Sequence, residues 1–213
     1  MATETRKRTP FHGSCHCGLT RYIVYITLPP ATAEGSPTCI YKCNCSTCHK
    51  AGHFHVRTAN APEDFLVLSP LDEETGTLKV GPGGLGDYTA IDHDIHWYFC
   101  TKCGARCFLL DVKGDKGEIK SVPASSLPPE PERYLHKTAY PLPKGGEVKV
   151  WSPKKETWSK ENCYLSVNAM TLEPGQEGLD LREWHEKGWI EYMDTWKEEG
   201  EERLREPHEG GCY

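Results

Sequence analysis

Cys43-Asn44-Cys45-Ser46-Thr47-Cys48 sets three thiols within six residues, with Cys15-His16-Cys17 upstream and Cys100-Thr101-Lys102-Cys103 downstream. Seven cysteines thus fall into a CxC, a CxCxxC and a CxxC. Zinc takes four soft ligands at the corners of a tetrahedron, and short turns of this spacing bring two or three thiolates to one point. Cys15, Cys17, Cys100 and Cys103 make a closed four-sulfur set. Cys43, Cys45 and Cys48 make a set one ligand short, which is how a catalytic zinc is held.

A zinc on three thiolates, its fourth position open, can bind a substrate thiol, lower its pKa and keep it as a nucleophile. His53 and His55 stand just past the central motif, and imidazole titrates near neutral pH, so either can act as acid or base. Strand alternation over 52–59 puts both on one face. Other readings close the site: His53 or His55 as the fourth ligand, or Cys39, four residues before Cys43. Cys107 and Cys163 read as packed strand thiols and Cys212 as an exposed thiol near the end. His93 and His96 have no ligand spacing.

Strands must position these groups. Leu19–Leu28, Cys39–Tyr41, Gly52–Ala59, Phe65–Leu68, Asp87–Ile91, His96–Phe99, Ala105–Val112 and Cys163–Leu172 are rich in β-branched and aromatic residues or alternate in polarity. Tyr88, Trp97 and Tyr98 read as core, with an aromatic wall beside a cleft as the second reading. Residues 1–10 read as disordered, and 113–160 as a long insertion forming a loop or hairpin over the sheet. Leu181, Trp184, His185 and Gly188 fit a short helix. Residues 189–206 fit a second, Glu-rich helix with Trp189, Tyr192, Met193 and Trp196 on one face. The expected class is mainly β: a zinc-stapled domain over 11–172 and a C-terminal helical appendage over 173–213.

Of the 213 residues 37% are hydrophobic and the formal charge is -6. An acidic chain lacks the basic face of a nucleic-acid binder, and no apolar run reaches the roughly 20 residues of a membrane span. The polar stretch Met1–Pro10 has no apolar core of a signal peptide. The expectation is a cytoplasmic protein, with the nucleus as second choice, whose eleven cysteines meet a reducing compartment and ligate metal rather than pair.

Gly13-Ser14-Cys15-His16-Cys17-Gly18, the CxCxxC, and Phe99-Cys100-Thr101-Lys102-Cys103-Gly104 follow one another at separations that resemble the glutathione-dependent formaldehyde-activating enzyme family, also called the centromere protein V (GFA/CENP-V) domain. The resemblance covers about residues 11–112, and Tyr164–Leu172 is similar to the family's closing strand. It implies a tent-like all-β zinc fold with two Zn²⁺ per chain: a structural one on Cys15, Cys17, Cys100 and Cys103, and a catalytic one on Cys43, Cys45 and Cys48. It also implies a carbon–sulfur lyase or transferase acting on glutathione, or another thiol, and a small aldehyde. The name-giving reaction joins glutathione to formaldehyde. The partners implied are small-molecule thiol and aldehyde substrates. Ala105 stands where the family more usually has a hydroxyl residue. A non-catalytic protein-binding module is the alternative function.

Overall fold

The computed structural model describes residues 5–30, 39–58, 60–90, 94–112, 117–131, 141–159, 162–196 and 202–211. His93, Cys212 and residues 113–116, 132–140 and 160 of the 113–160 insertion lie outside them. The chain runs β1 (Lys7–Ser14), β2 (Arg21–Leu28), β3 (Cys39–Cys43), α1 (Ser46–Ala51), β4 (Phe54–Arg57), α2 (Ala61–Asp64) and β5 (Phe65–Ser69). The short pair β6 (Leu71–Asp72) and β7 (Thr77–Leu78) precedes β8 (Leu85–Thr89), β9 (His96–Cys100), β10 (Arg106–Asp111), β11 (Glu118–Pro123), β12 (Glu147–Ser152) and β13 (Tyr164–Asn168). Then come α3 (Leu181–Glu186), β14 (Ile190–Asp194) and β15 (Glu202–Leu204). The protein is mainly β, as expected. No helix among the described residues is long and apolar enough to cross a membrane.

Two larger sheets carry the fold. One has five strands in the order β1-β2-β5-β12-β11, the other eight in the order β15-β14-β3-β4-β13-β10-β9-β8. Alternation along each strand explains how they pack. On β2, Tyr22, Val24 and Ile26 join the main core, while Ile23 faces the other side with Leu66, Val148 and Val150. On β10, Phe108 and Leu110 join the main core, and Leu109 points to the opposite face with Trp97 and Tyr41. The aromatic centre joins the sheets: Phe65 and Phe108 meet edge to face at 5.0 Å, and Tyr22 lies 5.6 Å from Phe65.

Gly13 shows how closely β1 approaches this centre. A Cβ built there falls 2.2 Å from the ring of Tyr22, which is fully buried. Gly13→Ala therefore forces that ring out of its place. The expected loss is about 1–3 kcal/mol, the usual cost of overpacking a filled core, read from chemical denaturation.

Two expectations are corrected, and the hairpin reading of the insertion is borne out in part. The disordered N-terminus gives way from Lys7 onward to β1, which pairs along its whole length with β2; its charged start lies on an exposed stretch of a sheet-edge strand, so the composition masks the strand. The insertion is a hairpin in part, β11 pairing with β12 to extend the five-stranded sheet, and Leu127 and Leu142 cover that sheet's outer face. The expected second helix over 189–206 is β-structure instead. Gly188 at φ +64° ends α3, and the next residues pair in parallel with β3, Ile190 opposite Ile40 and Met193 opposite Cys43. Among its described residues the C-terminal appendage is thus one short helix followed by two strands of the larger sheet.

Candidate metal centres

Two matching turns build the four-sulfur group. Cys15 and Cys17 follow β1; Cys100 closes β9, and Cys103 lies in the turn into β10. Gly18 and Gly104, each at φ +75°, return the chain so that their N–H groups donate to the carbonyls of Cys15 and Cys100. Only a residue without Cβ takes that conformation cheaply. The Thr20 N–H donates to Cys15 Sγ at 3.2 Å and the Lys102 N–H to Cys100 Sγ at 3.4 Å. Backbone donors aimed at sulfur favour the thiolate form.

The donor set fits zinc. Metal–sulfur bonds of about 2.3 Å at tetrahedral angles put sulfurs about 3.8 Å apart. Cys17 Sγ lies 3.6 Å from both Cys15 Sγ and Cys100 Sγ, and all four sulfurs fall within 4.8 Å of one another. All four are free thiols. Burial pushes the Cys15 thiol up to about 12, so a cation is what would release its proton.

The central group sits on the outer face of the eight-stranded sheet. Cys43 ends β3, Cys45 caps α1 with its sulfur accepting from the Cys48 N–H, and Cys48 lies on the helix's first turn. The Cys45 N–H in turn donates to Cys43 Sγ at 3.4 Å. The three sulfurs lie within 4.8 Å of one another, with Cys43 and Cys48 buried. Hydrogen bonds from the Cys43 and Cys48 thiols bring Cys45 down to about 2, and the same contacts raise its two neighbours, Cys43 to about 11. Three thiols at this spacing favour the thiolate on Cys45 and oppose it on its two neighbours. A divalent cation would take the place of the remaining protons.

The three alternative fourth ligands do not join this group. Cys39 lies at the far end of β3, about 13 Å from Cys43 at the usual strand rise. Its sulfur is held by Glu191 at 3.2 Å and Arg203 at 3.3 Å. His55 does reach the group, but through one sulfur: its Nε2 lies 3.1 Å from Cys48 Sγ. Its Nδ1 is 3.1 Å from both Ser166 Oγ and the Tyr164 hydroxyl, which bonds to the hydroxyl of Tyr41. Tyr41 is the cross-strand partner of His55 and stacks on it at 4.4 Å with rings nearly parallel.

His53 lies on the same face, its ring 4.5 Å from His55, as strand alternation predicts. Both of its nitrogens are buried without a partner. Trp97 stands edge-on at 5.5 Å from His53. Burial holds His55 down to about 3 and His53 well below its usual value, so both imidazoles are neutral. Trp97 and Tyr98 are both buried in core clusters, as the first reading had them, while Tyr88 is 48% exposed.

Reasoning from sequence missed Tyr41, Tyr164 and the grip on Asn44. The Asn44 amide donates to Asp194 at 2.7 Å and accepts from the Thr195 N–H at 2.9 Å, while the Trp196 indole N–H donates to the Asn44 carbonyl. These contacts follow from β14 lying beside β3, which no local signal predicts. No protein-family model matches the chain, and neither a curated protein nor a solved structure is significantly similar to it.

Proposed function

We propose that the protein is a zinc-dependent enzyme of the carbon–sulfur lyase or transferase type, acting on glutathione or another thiol and a small aldehyde. The observation that carries this reading is a sulfur group that closes on three donors beside two buried, neutral imidazoles. Cys43, Cys45 and Cys48 would hold the ion. Bound zinc supplies a Lewis acid that keeps a thiol as thiolate at neutral pH. His55 positions the Cys48 sulfur and links it to the hydroxyls of Tyr164 and Tyr41, a path along which the thiol's proton can leave. Trp97 and Tyr41 exclude water from the imidazoles. Run in the opposite direction, the same groups return the proton as the carbon–sulfur bond breaks. The order of the three cysteine motifs supports the formaldehyde-activating type, and Cys15, Cys17, Cys100 and Cys103 are its structural zinc set.

Cobalt in place of zinc makes the reading testable. Titration with glutathione is expected to shift the d–d bands saturably, and Cys45→Ala is expected to abolish the shift. Spectra that stay constant at millimolar glutathione would reject thiol binding at this centre.

A further inference from the structure

Every polar atom of Asn44 is held by residues 193–196, far along the chain. The pairing of β14 with β3 ends at Met193 opposite Cys43, and Asn44 carries the contact on. Its N–H donates to the Met193 carbonyl at 3.2 Å and its side-chain amide to Asp194 at 2.7 Å. Its side-chain oxygen accepts from the N–H and the hydroxyl of Thr195, at 2.9 and 3.0 Å. Its carbonyl accepts from the Trp196 indole at 3.1 Å. Asn44 is 1% and Asp194 7% exposed. The Asp194 carboxylate also accepts from the Trp196 N–H at 3.1 Å, with His208 Nδ1 3.9 Å away. The four-sulfur group is built differently: its two turns close on themselves through the N–H groups of Gly18 and Gly104.

In an extended strand, residues i and i+2 stand on one face about 6.6 Å apart. Cys43 and Cys45 hold their sulfurs within 4.8 Å of each other and of Cys48, so the chain leaves its extended course at Asn44. The CxCxxC motif has no glycine to take that turn, and the grip from the end of β14 sets it instead. A carboxylate only accepts and a backbone N–H only donates. With Asp194 on one side and the Thr195 N–H on the other, the Asn44 amide fits in one orientation. We propose that Asp194 and Thr195, acting through Asn44, are positioning residues for the three-cysteine centre. The metal affinity of that centre then depends on β14, and that of the four-sulfur group does not. This rests on the reading of the three-cysteine centre as a metal site. Sulfurs gathered before the ion arrives spare it the cost of ordering them, and outer partners of metal ligands carry about 10–100-fold in affinity.

Competition between the zinc-loaded protein and chelators of graded strength gives an affinity for each bound equivalent, and Cys45→Ala identifies the one at the three-cysteine centre. Asn44→Asp sets one carboxylate against another. It is expected to weaken the central equivalent about 10–100-fold, while the other keeps its affinity. Asn44→Asp together with Asp194→Asn exchanges acid and amide, and is expected to restore most of the loss. Thr195→Val keeps the shape, removes one hydrogen bond and is expected to cost about fivefold at the same equivalent. This milder variant carries the test if Asn44→Asp fails to fold. Unchanged affinity of the central equivalent in these variants overturns the positioning role and leaves the metal site standing. Equal weakening of both equivalents overturns it too, as does an exchange variant that recovers nothing. A single equivalent that persists in Cys45→Ala overturns the central metal site, and the positioning role with it.

Discussion

Cys100→Ala is expected to leave the protein unfolded. Cys100 is fully buried at the end of β9, and its sulfur lies 3.6 Å from Cys17 Sγ, eighty-three residues away along the chain. The four-sulfur group therefore ties the turn after β1, on the five-stranded sheet, to the β9–β10 turn on the eight-stranded sheet. A structural zinc in a small domain contributes roughly 10–16 kcal/mol of apparent binding energy at neutral pH. Whole domains are stable by only about 5–15 kcal/mol, so removing one ligand of four takes away a contribution of the same size as the total. Circular dichroism and metal content check this together: with zinc on the four sulfurs, as proposed, the variant should lose its cooperative melt and one equivalent of zinc, and a chelator should do the same to the unaltered protein. Melting like the unaltered protein would refute the structural role of this group.

Trp184→Ala is expected to cost about 3–5 kcal/mol, the range for removing a buried aromatic side chain. Trp184 is fully buried on α3, a helix of six residues. A helix that short has no stability of its own. Asp180 caps its start, and the indole anchors it edge-on against Phe54 of β4 at 6.1 Å. The Trp184 carbonyl also accepts from the Trp189 N–H, which starts the chain toward β14. The indole nitrogen makes no hydrogen bond, so Trp184→Phe should recover most of the loss. Undocking α3 loosens β14 from β3, and with it the bonds from Met193, Asp194 and Thr195 to Asn44 inside the central motif. Faster amide exchange at Asn44 in Trp184→Ala, well before global unfolding, is the expected signature. Unchanged exchange there would separate α3 from the centre.

Both cysteine groups that could hold a metal were legible before any fold was known, because thiol spacing in a turn is a local property. CxC and CxxC followed by glycine dictate a tight return, and Gly18 and Gly104 make that return at the same dihedral. The strands β2, β4, β5, β9 and β10 were legible too, since β-branched and aromatic residues alternate along them. Even the shared face of His53 and His55 follows from a two-residue period.

What the sequence could not decide was pairing. β14 reads as a helix because its aromatics recur at helical spacing, and it becomes a strand because the edge of β3 offers it backbone partners. The neighbours of His55 come from three strands, Tyr41 of β3 and Tyr164 and Ser166 of β13 besides its own, and no spacing along the chain relates them. The bulge that turns Arg106 away from the core depends on how β10 meets β9. Local chemistry thus determined which residues can ligate a metal. Only tertiary pairing decided that Cys39 is spent on Glu191 and Arg203, that His55 serves one sulfur, and that His53 and Arg106 carry buried nitrogens without a hydrogen-bond partner. The physical reason is that a turn closes over a few residues, whereas a sheet's register is set by burial summed over strands far apart in sequence.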